Sequence, residues 1–163
     1  MKNYKVKQFL NFKERHEDVD LAYIHPHLLM VIGFVGKFCL ERGIRPVLTS
    51  VVRTYAQNER YNSSSLTHVQ GRAADLSLRS VHGWTYNDVQ ELIDQLNHLT
   101  HSKELNDAPN PFYQIGAISA KDHRQRVIVV HKNYNAPESD NKFAYTHAHL
   151  QVRPDSDWDE YLL

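Results

Sequence analysis

The segment THVQGRAADLS, residues 67–77, places two possible metal ligands, His68 and Asp75, seven positions apart. Gly71 between them favours a turn, so the chain can fold His68 back towards Asp75. After the turn the side chains alternate as in a strand, and the neighbours on the Asp75 face are small, namely Ala73 and Ser77. Small neighbours leave room above the carboxylate for a ligand. The pair is also compatible with a solvent-facing aspartate and a loop histidine, because only a larger cluster indicates a metal.

A second segment, THAHLQV, supplies two further candidate ligands, His147 and His149. They lie two positions apart on a predicted strand, so both side chains project from the same face. Two exposed histidines on an edge strand are the simpler alternative. Together the segments offer three histidines and a carboxylate, and a zinc hydrolase requires three protein ligands and an open position for water. His68, Asp75 and one of the two strand histidines satisfy that number, and the other histidine could then transfer protons.

The composition indicates a globular protein of 163 residues, and we expect one domain spanning residues 1–163. The 19 basic and 19 acidic residues give a formal net charge of zero, which argues against broad electrostatic binding of nucleic acid or membrane surfaces. Cys39 is the only cysteine, so an intrachain disulfide and a cysteine-rich zinc site are both excluded. A metal site must therefore use histidine, aspartate or glutamate, and 11 histidines are a high number for this length.

Residues 1–20 mix charges of both signs with scattered aromatic side chains, and they predict an N-terminal arm or a short helix packed by Phe9, Leu10 and Phe12. They contain neither an apolar run nor a small-residue cleavage site, so they are unlike a secretory signal. The most apolar stretch, residues 28–35, is too short to span a bilayer. We therefore expect a protein that is made in the cytoplasm. If it acts outside the membrane, another agent must deliver it there. We expect no nucleic-acid partner, no membrane insertion and a monomer.

Hydrophobic spacing predicts two long helices, over residues 25–43 and 85–101, and Thr85 suits the cap of the second. A short helix is expected to begin at Tyr55. Strands are predicted along the rest of the chain, at residues 45–54, 73–78, 113–119, 124–132 and 144–152, and loops at 102–111 and 133–142. Helices followed by several short strands predict an α+β domain with a mainly antiparallel sheet and flanking helices.

The segments TSVVRT, THVQGRAADLS and THAHLQVRP together resemble the zinc peptidases that cut bacterial cell-wall peptides. These are the D-alanyl-D-alanine carboxypeptidases and L-alanyl-D-glutamate endopeptidases, including phage endolysins, which share the Hedgehog/D,D-peptidase fold. The family pattern is Ser-x-His-x-x-Gly-x-Ala-x-Asp, followed by a later His-x-His or acid-x-x-His. The resemblance covers roughly residues 25–153, and the first motif is matched at His68, Gly71, Ala73 and Asp75.

The resemblance implies a role for each of the matching residues. His68, Asp75 and His149 would hold the zinc ion. His147 would lie beside the metal, in the position linked to proton transfer or transition-state stabilisation. Arg53 would bind the substrate carboxylate or the developing oxyanion, because a guanidinium stays charged and grips oxygen anions through two hydrogen bonds.

The chain departs from the family pattern at two positions. Leu66 stands where the family has a serine, and Thr146 stands where many members have an acidic general base. His147 could act as the base instead, or a carboxylate such as Glu138 or Asp140 could arrive from the preceding loop. A third possibility is that the fold is kept while catalysis is weak or lost.

Three more residues are candidates for the surroundings of the substrate. Gln57 lies one turn of chain beyond Arg53 and could position it, and surface polarity is the alternative. Tyr145 shares a strand face with His147 if alternation holds, so it could bind substrate, whereas packing is the simpler role. His82 follows the Asp75 strand and could line the cleft together with Trp84, or lie in a plain loop.

These features predict a zinc metallopeptidase with one Zn²⁺ per chain that cleaves peptidoglycan stem peptides. The cut would be of the D,D-carboxypeptidase or the L-Ala-D-Glu endopeptidase type. The alternative is a weak or inactive zinc-binding module of the same fold that acts as a virion or interaction component. A zinc amidase that removes the whole stem peptide is disfavoured by the Gly-x-Ala-x-Asp match. The missing secretory signal favours phage-type release or delivery to the bacterial cell wall.

Overall fold

A computed structural model describes residues 11–12, 23–119, 122–132 and 145–154. The expected N-terminal arm, apart from residues 11–12, and the expected loop at 133–142 lie outside these ranges. So do Glu138 and Asp140, the two carboxylates considered as bases. Within the described ranges, no helix is long and apolar enough to cross a bilayer.

The described chain forms an α+β structure with a mainly antiparallel sheet, as the order of elements predicts. The helices are α1 (Pro26–Glu41), α2 (Tyr55–Arg60) and α3 (Tyr86–His101). The strands of the main sheet are β1 (Asn11–Phe12), β2 (Val47–Ser50), β3 (Ala73–Ser77), β8 (Ile128–Lys132) and β9 (Tyr145–Gln151). Two small hairpins pair β4 (Glu104–Leu105) with β5 (Ala108–Pro109) and β6 (Ala117–Ile118) with β7 (Gln125–Arg126).

The main sheet has the strand order β1-β2-β3-β9-β8. Only β1 and β2 are parallel, and every other neighbouring pair is antiparallel. The two motif-bearing strands, β3 and β9, are therefore direct neighbours in the sheet, although Asp75 and His149 lie 74 positions apart in the sequence. This adjacency brings the two halves of the predicted site together.

One face of the sheet and the two long helices share a single hydrophobic core. The alternation predicted for β3 is confirmed, since Ala74, Leu76 and Leu78 are fully buried in this core. Ala148 and Leu150 of β9 lie there as well. Asp75 and Ser77 of β3, and His147 and His149 of β9, consequently point to the opposite face of the sheet.

Both long helices are confirmed, with ends set by local chemistry. Pro26 occupies the first turn of α1, and Gly43 follows the C-cap with a φ of +66°, a backbone conformation that glycine adopts without strain. Thr85 caps α3 in a reciprocal capping box with Asp88. Val89, Leu92 and Leu96 form the buried stripe of α3.

Several strand predictions are too long. The strand predicted at 45–54 ends at Ser50, so Arg53, which that prediction included in the strand, lies in the connection to α2. The segment 113–119 contains only β6 and an isolated bridge between Gly116 and Val152. The loop predicted at 102–111 contains the β4–β5 hairpin. Phe12 is part of a strand and not of a helix.

Candidate metal centre

The face of the sheet opposite the core carries two cross-strand rows of polar side chains. In the first row Asp75 of β3 pairs with His149 of β9. In the second, Ser77 of β3 pairs with His147, which pairs in turn with His131 of β8. Directly opposed residues of antiparallel strands hold their side chains within contact distance, so the strand register itself assembles these groups.

His68 reaches the same face from the turn that precedes β3. The amide of Gly71 donates to the carbonyl of His68 at 3.2 Å, and Arg72 donates to Thr67 at 2.7 Å. Gly71 has a φ of +65°, and a Cβ there would lie 1.9 Å from the carbonyl oxygen of Tyr23. The turn therefore requires glycine, and it folds His68 back over β3 as the sequence predicts.

The side chains of His68, Asp75 and His149 converge on one point, and their ligand atoms all lie within 4.8 Å of one another. Nδ1 of His149 lies 3.0 Å from Asp75 Oδ1, and Nε2 of His68 lies 3.4 Å from Asp75 Oδ2. Tetrahedral ligands about 2.0–2.2 Å from a zinc ion stand roughly 3.3 Å apart, so this spacing suits a shared cation. We refer to these three residues as the trio.

His68 is held in the tautomer that a metal ligand needs. Its Nδ1 lies 2.8 Å from the carbonyl oxygen of Val51, which can only accept a hydrogen bond, so Nδ1 carries the proton. Nε2, the nitrogen that faces Asp75, donates to the carboxylate when the ring is protonated and offers its lone pair to a metal when the ring is neutral. Donation of the remote ring N–H to a backbone carbonyl is the usual way in which proteins orient a metal-binding histidine.

Asp75 is ionised, as a metal ligand must be. Burial on its own raises the pKa of this carboxyl group, but hydrogen bonds and charge interactions with His149 and His68 outweigh burial and hold the pKa well below its usual range. The donor set of two imidazoles and one carboxylate, together with this protonation state, fits a divalent metal ion.

Arg53 lies against the trio. Its Nη2 donates to Asp75 Oδ2 at 2.8 Å, and its Nε donates to the hydroxyl of Ser50 at 2.8 Å. The guanidinium also lies over the ring of Tyr61, 4.7 Å from the ring centroid. Among the described residues, none hydrogen bonds with Nη1, so this nitrogen can still bind a ligand.

His147 lies beside the trio and contacts Thr146, the residue at the family's acid position. Nδ1 of His147 is 3.0 Å from the Thr146 hydroxyl, and that hydroxyl is 3.4 Å from the carbonyl of His131. Since the carbonyl can only accept, the hydroxyl proton points to His131 and the hydroxyl oxygen accepts the Nδ1–H of His147. The lone pair of His147 is therefore on Nε2, with which no described residue hydrogen bonds.

His131 lies outside the quoted motifs, and the structure stacks its ring on that of His147, 4.5 Å between centroids and 12° from parallel. Burial lowers the pKa of both rings, and for His131 the nearby His147 lowers it further. Both rings are therefore neutral at pH 7. The signal that could have found His131 is its register with His147, which depends on the pairing of β8 with β9.

The trio opens into two adjoining cavities. The larger one, the main cleft, has a volume of about 990 Å³ and contacts all three members of the trio. The smaller one, the side pocket, has a volume of about 380 Å³ and is lined by Ser77, Arg79, His82 and Thr146 among others. Arg53, Tyr61, Asp75 and His147 line both cavities and form the border between them.

Two of the predicted substrate contacts lie away from the cleft. Gln57 is exposed and completes the capping box of α2, since its side chain accepts from the amide of Thr54 at 2.9 Å. Tyr145 packs against the core, stacks on Tyr86 and hydrogen bonds with Gln90. The reason is an irregularity in the pairing, where Lys132 pairs with Tyr145 and skips one residue of β9. This bulge breaks the alternation on which the prediction relied.

His82 and Trp84 separate in the structure. His82 lines the side pocket, as the prediction allows. Trp84 is buried and stacks on Phe38 in the core, 6.2 Å between ring centroids.

Comparisons of this chain with models of protein families, with curated proteins and with solved structures find no match. The resemblance to the cell-wall zinc peptidases therefore rests on the quoted motifs.

Proposed function

We propose that the protein is a zinc-dependent peptidase that cleaves peptidoglycan stem peptides. The observation that carries the proposal is the convergence of His68, Asp75 and His149 at the border of an open cleft, with His147 and Arg53 beside them. Structural zinc sites are usually closed by four ligands, whereas three ligands and an open position are typical of catalytic zinc.

Two imidazoles and one carboxylate support zinc as the bound ion, and other metal ions that prefer the same ligands also fit. Imidazole and carboxylate suit zinc, and imidazole also suits copper, iron and nickel. When bound, zinc lowers the pKa of a coordinated water to about 7 and polarises a carbonyl oxygen, which is the chemistry that peptide hydrolysis requires.

The chain's own residues supply the remaining steps. His147 accepts a proton at Nε2 and later delivers it to the leaving amine, while Thr146 keeps the ring in the required tautomer. Arg53 donates from its guanidinium to a substrate carboxylate or to the developing oxyanion, and its bond to Ser50 holds it in place. The neutral form of His147 suits it to act as the base that Thr146 cannot be.

The substrate class follows from the motif resemblance. Stem peptides of peptidoglycan contain D-amino acids and free carboxylates, and a cleft bordered by Arg53 can bind such acids. The cut would be either the terminal D-Ala–D-Ala bond or the internal L-Ala–D-Glu bond. Phage-type release or delivery would bring the enzyme to the wall.

A second function is favoured by one observation. Asp75 is the only carboxylate among the described residues that line the two cavities, so no described acid can serve as a general base. A zinc-binding module of the same architecture, which holds the metal and cleaves weakly or not at all, would also satisfy this geometry.

Incubation of the zinc-loaded protein with purified muropeptides, followed by mass spectrometry, tests the proposal. The proposed function predicts loss of a terminal D-Ala or an internal cut between L-Ala and D-Glu. Both the chelator-treated protein and the Asp75→Asn variant should leave the muropeptides intact. If no stem peptide yields a product while the protein holds zinc and cosediments with purified cell walls, the binding module is the correct function.

A further inference from the structure

The side pocket differs from the main cleft in its size and in the members of the trio that line it. It has a volume of about 380 Å³, and the trio member that lines it is Asp75. Asp75 is already engaged there by Arg53 at 2.8 Å. The other lining residues carry no carboxylate: they offer hydroxyls, imidazoles and the guanidinium groups of Arg53 and Arg79, which can only donate.

Three of these donors are available to a ligand. Nη1 of Arg53 makes no hydrogen bond with a described residue, although Nε and Nη2 are fixed by Ser50 and Asp75. Arg79 is exposed, and its side chain makes no ion pair or hydrogen bond within the described part of the chain. Ser77 is largely buried at 5% exposure, and its hydroxyl likewise has no partner among the described residues.

The three donors of the side pocket lie beside the place where the substrate would react. Ser77 pairs across the sheet with His147, and Asp75 lies two residues earlier on the same strand. A group bound between Ser77, Arg79 and Arg53 would therefore lie next to a carbonyl placed at the trio. Two guanidinium groups and a hydroxyl match a carboxylate, which accepts several charge-assisted hydrogen bonds.

We propose that the side pocket binds a free carboxylate of the substrate, and that Arg79 and Ser77, together with Nη1 of Arg53, determine this specificity. The inference rests on the proposed function, because the bound carboxylate belongs to the peptide that is cleaved at the trio. It restricts the substrate to peptides with a carboxylate close to the scissile bond.

A titration of the zinc-loaded protein with two matched probes tests the proposal. The probes are N-acetyl-D-alanine and its amide, which differ only in the carboxylate, and binding is followed by NMR through the arginine Nε–H and backbone amide signals. The acid should shift the signals of Arg79, Arg53 and Ser77, and the amide should not. Arg79→Gln should weaken binding of the acid by roughly tenfold or more, because a charge-assisted hydrogen bond is lost.

Arg124→Gln is the matched control, since it removes the same charge from an exposed position that lines neither cavity. This variant should bind the acid as the unaltered protein does. Equal weakening by both variants, equal binding of acid and amide, or shifts confined to the main cleft would overturn the proposal.

Activity measurements separate this inference from the proposed function. If stem peptides are cleaved, Arg79→Gln should raise KM for a peptide with a free carboxylate and leave KM for its amide unchanged. Cleavage of acid and amide with equal KM would overturn the side-pocket proposal and leave the peptidase intact. Selective binding of the acid without any cleavage would support the pocket and contradict the peptidase.

Discussion

The hydroxyl of Thr146 lies 3.0 Å from Nδ1 of His147, at the position where the cell-wall peptidases that the sequence resembles often carry an acid. Because the same hydroxyl donates to the carbonyl of His131, it accepts the His147 N–H and fixes the ring tautomer. The threonine is thus a positioning residue for His147 within the proposed mechanism.

Removal of the Thr146 hydroxyl should therefore impair turnover without loss of metal. Thr146→Val keeps the shape of the side chain, and we expect kcat on the cleaved muropeptide to fall roughly tenfold while KM changes little, since one orienting hydrogen bond is lost. Thr146→Ser keeps the hydroxyl and should stay within about twofold of the unaltered protein. Equal activity of the valine and serine variants would show that the hydroxyl does not orient His147.

Gly71→Ala should destabilise the fold by at least about 2 kcal/mol, because alanine at positive φ is strained and its Cβ would meet the Tyr23 carbonyl. Gly33→Ala is the control, since Gly33 is an exposed residue of α1 with nothing within 4 Å of an added Cβ. It should stabilise the protein by roughly 0.5–1 kcal/mol. Denaturant unfolding measures both values, and a neutral Gly71→Ala would contradict the described turn.

Cys39 should be unreactive in the folded protein. The thiol is fully buried, and burial raises its pKa to about 12. Thiol reagents at pH 8 should label one cysteine per chain in denaturant and almost none without it, because only the thiolate reacts. Rapid labelling of the native protein would contradict the packing of α1.

The raised pKa of Cys39 also predicts how the free energy of unfolding changes with pH. The pKa of Cys39 is about 12 in the folded protein and about 8.5 in the unfolded chain. The protonated thiol therefore contributes fully to the free energy of unfolding below about pH 8.5, and this contribution is lost as the pH rises towards 12. Cys39→Ala should flatten the alkaline limb of the free energy of unfolding measured between pH 8 and 11. An unchanged alkaline limb would contradict the raised pKa.

The sequence predicted those parts of the fold that local pattern controls. Alternation in β3 placed Asp75 on the face opposite the core, and hydrophobic spacing with Thr85 located α3. The glycine of the motif predicted the turn that returns His68. The sequence spacing of His147 and His149, however, did not decide which of the two is the third metal ligand. The direct pairing of Asp75 with His149 places His149 in the trio.

The features that the sequence could not predict depend on pairing between distant strands. The bulge in β9 places Tyr145 against the core, and no local sequence pattern marks this bulge. His131 enters the site only because β8 pairs with β9 in a register that opposes it to His147. Gln57 was expected near the substrate, but the capping box with Thr54 uses its side chain locally.

Zinc should stabilise the protein through the trio, because it links the turn before β3 to both central strands. A ligand that binds only the folded state at 100 times its Kd adds about 2.7 kcal/mol. We expect saturating zinc to raise Tm for the unaltered protein and for His98→Ala, an exposed histidine near the end of α3. Asp75→Asn should abolish the increase, and an undiminished increase in that variant would place the metal elsewhere.

The zinc content of three purified proteins tests the central claim most directly. After refolding with zinc and removal of free metal, elemental analysis should find about one zinc per chain in the unaltered protein and in His147→Ala. His149→Ala should retain almost none, because a member of the trio is lost. A metal-free unaltered protein, or loss of zinc from His147→Ala with retention in His149→Ala, would contradict the assignment of the trio.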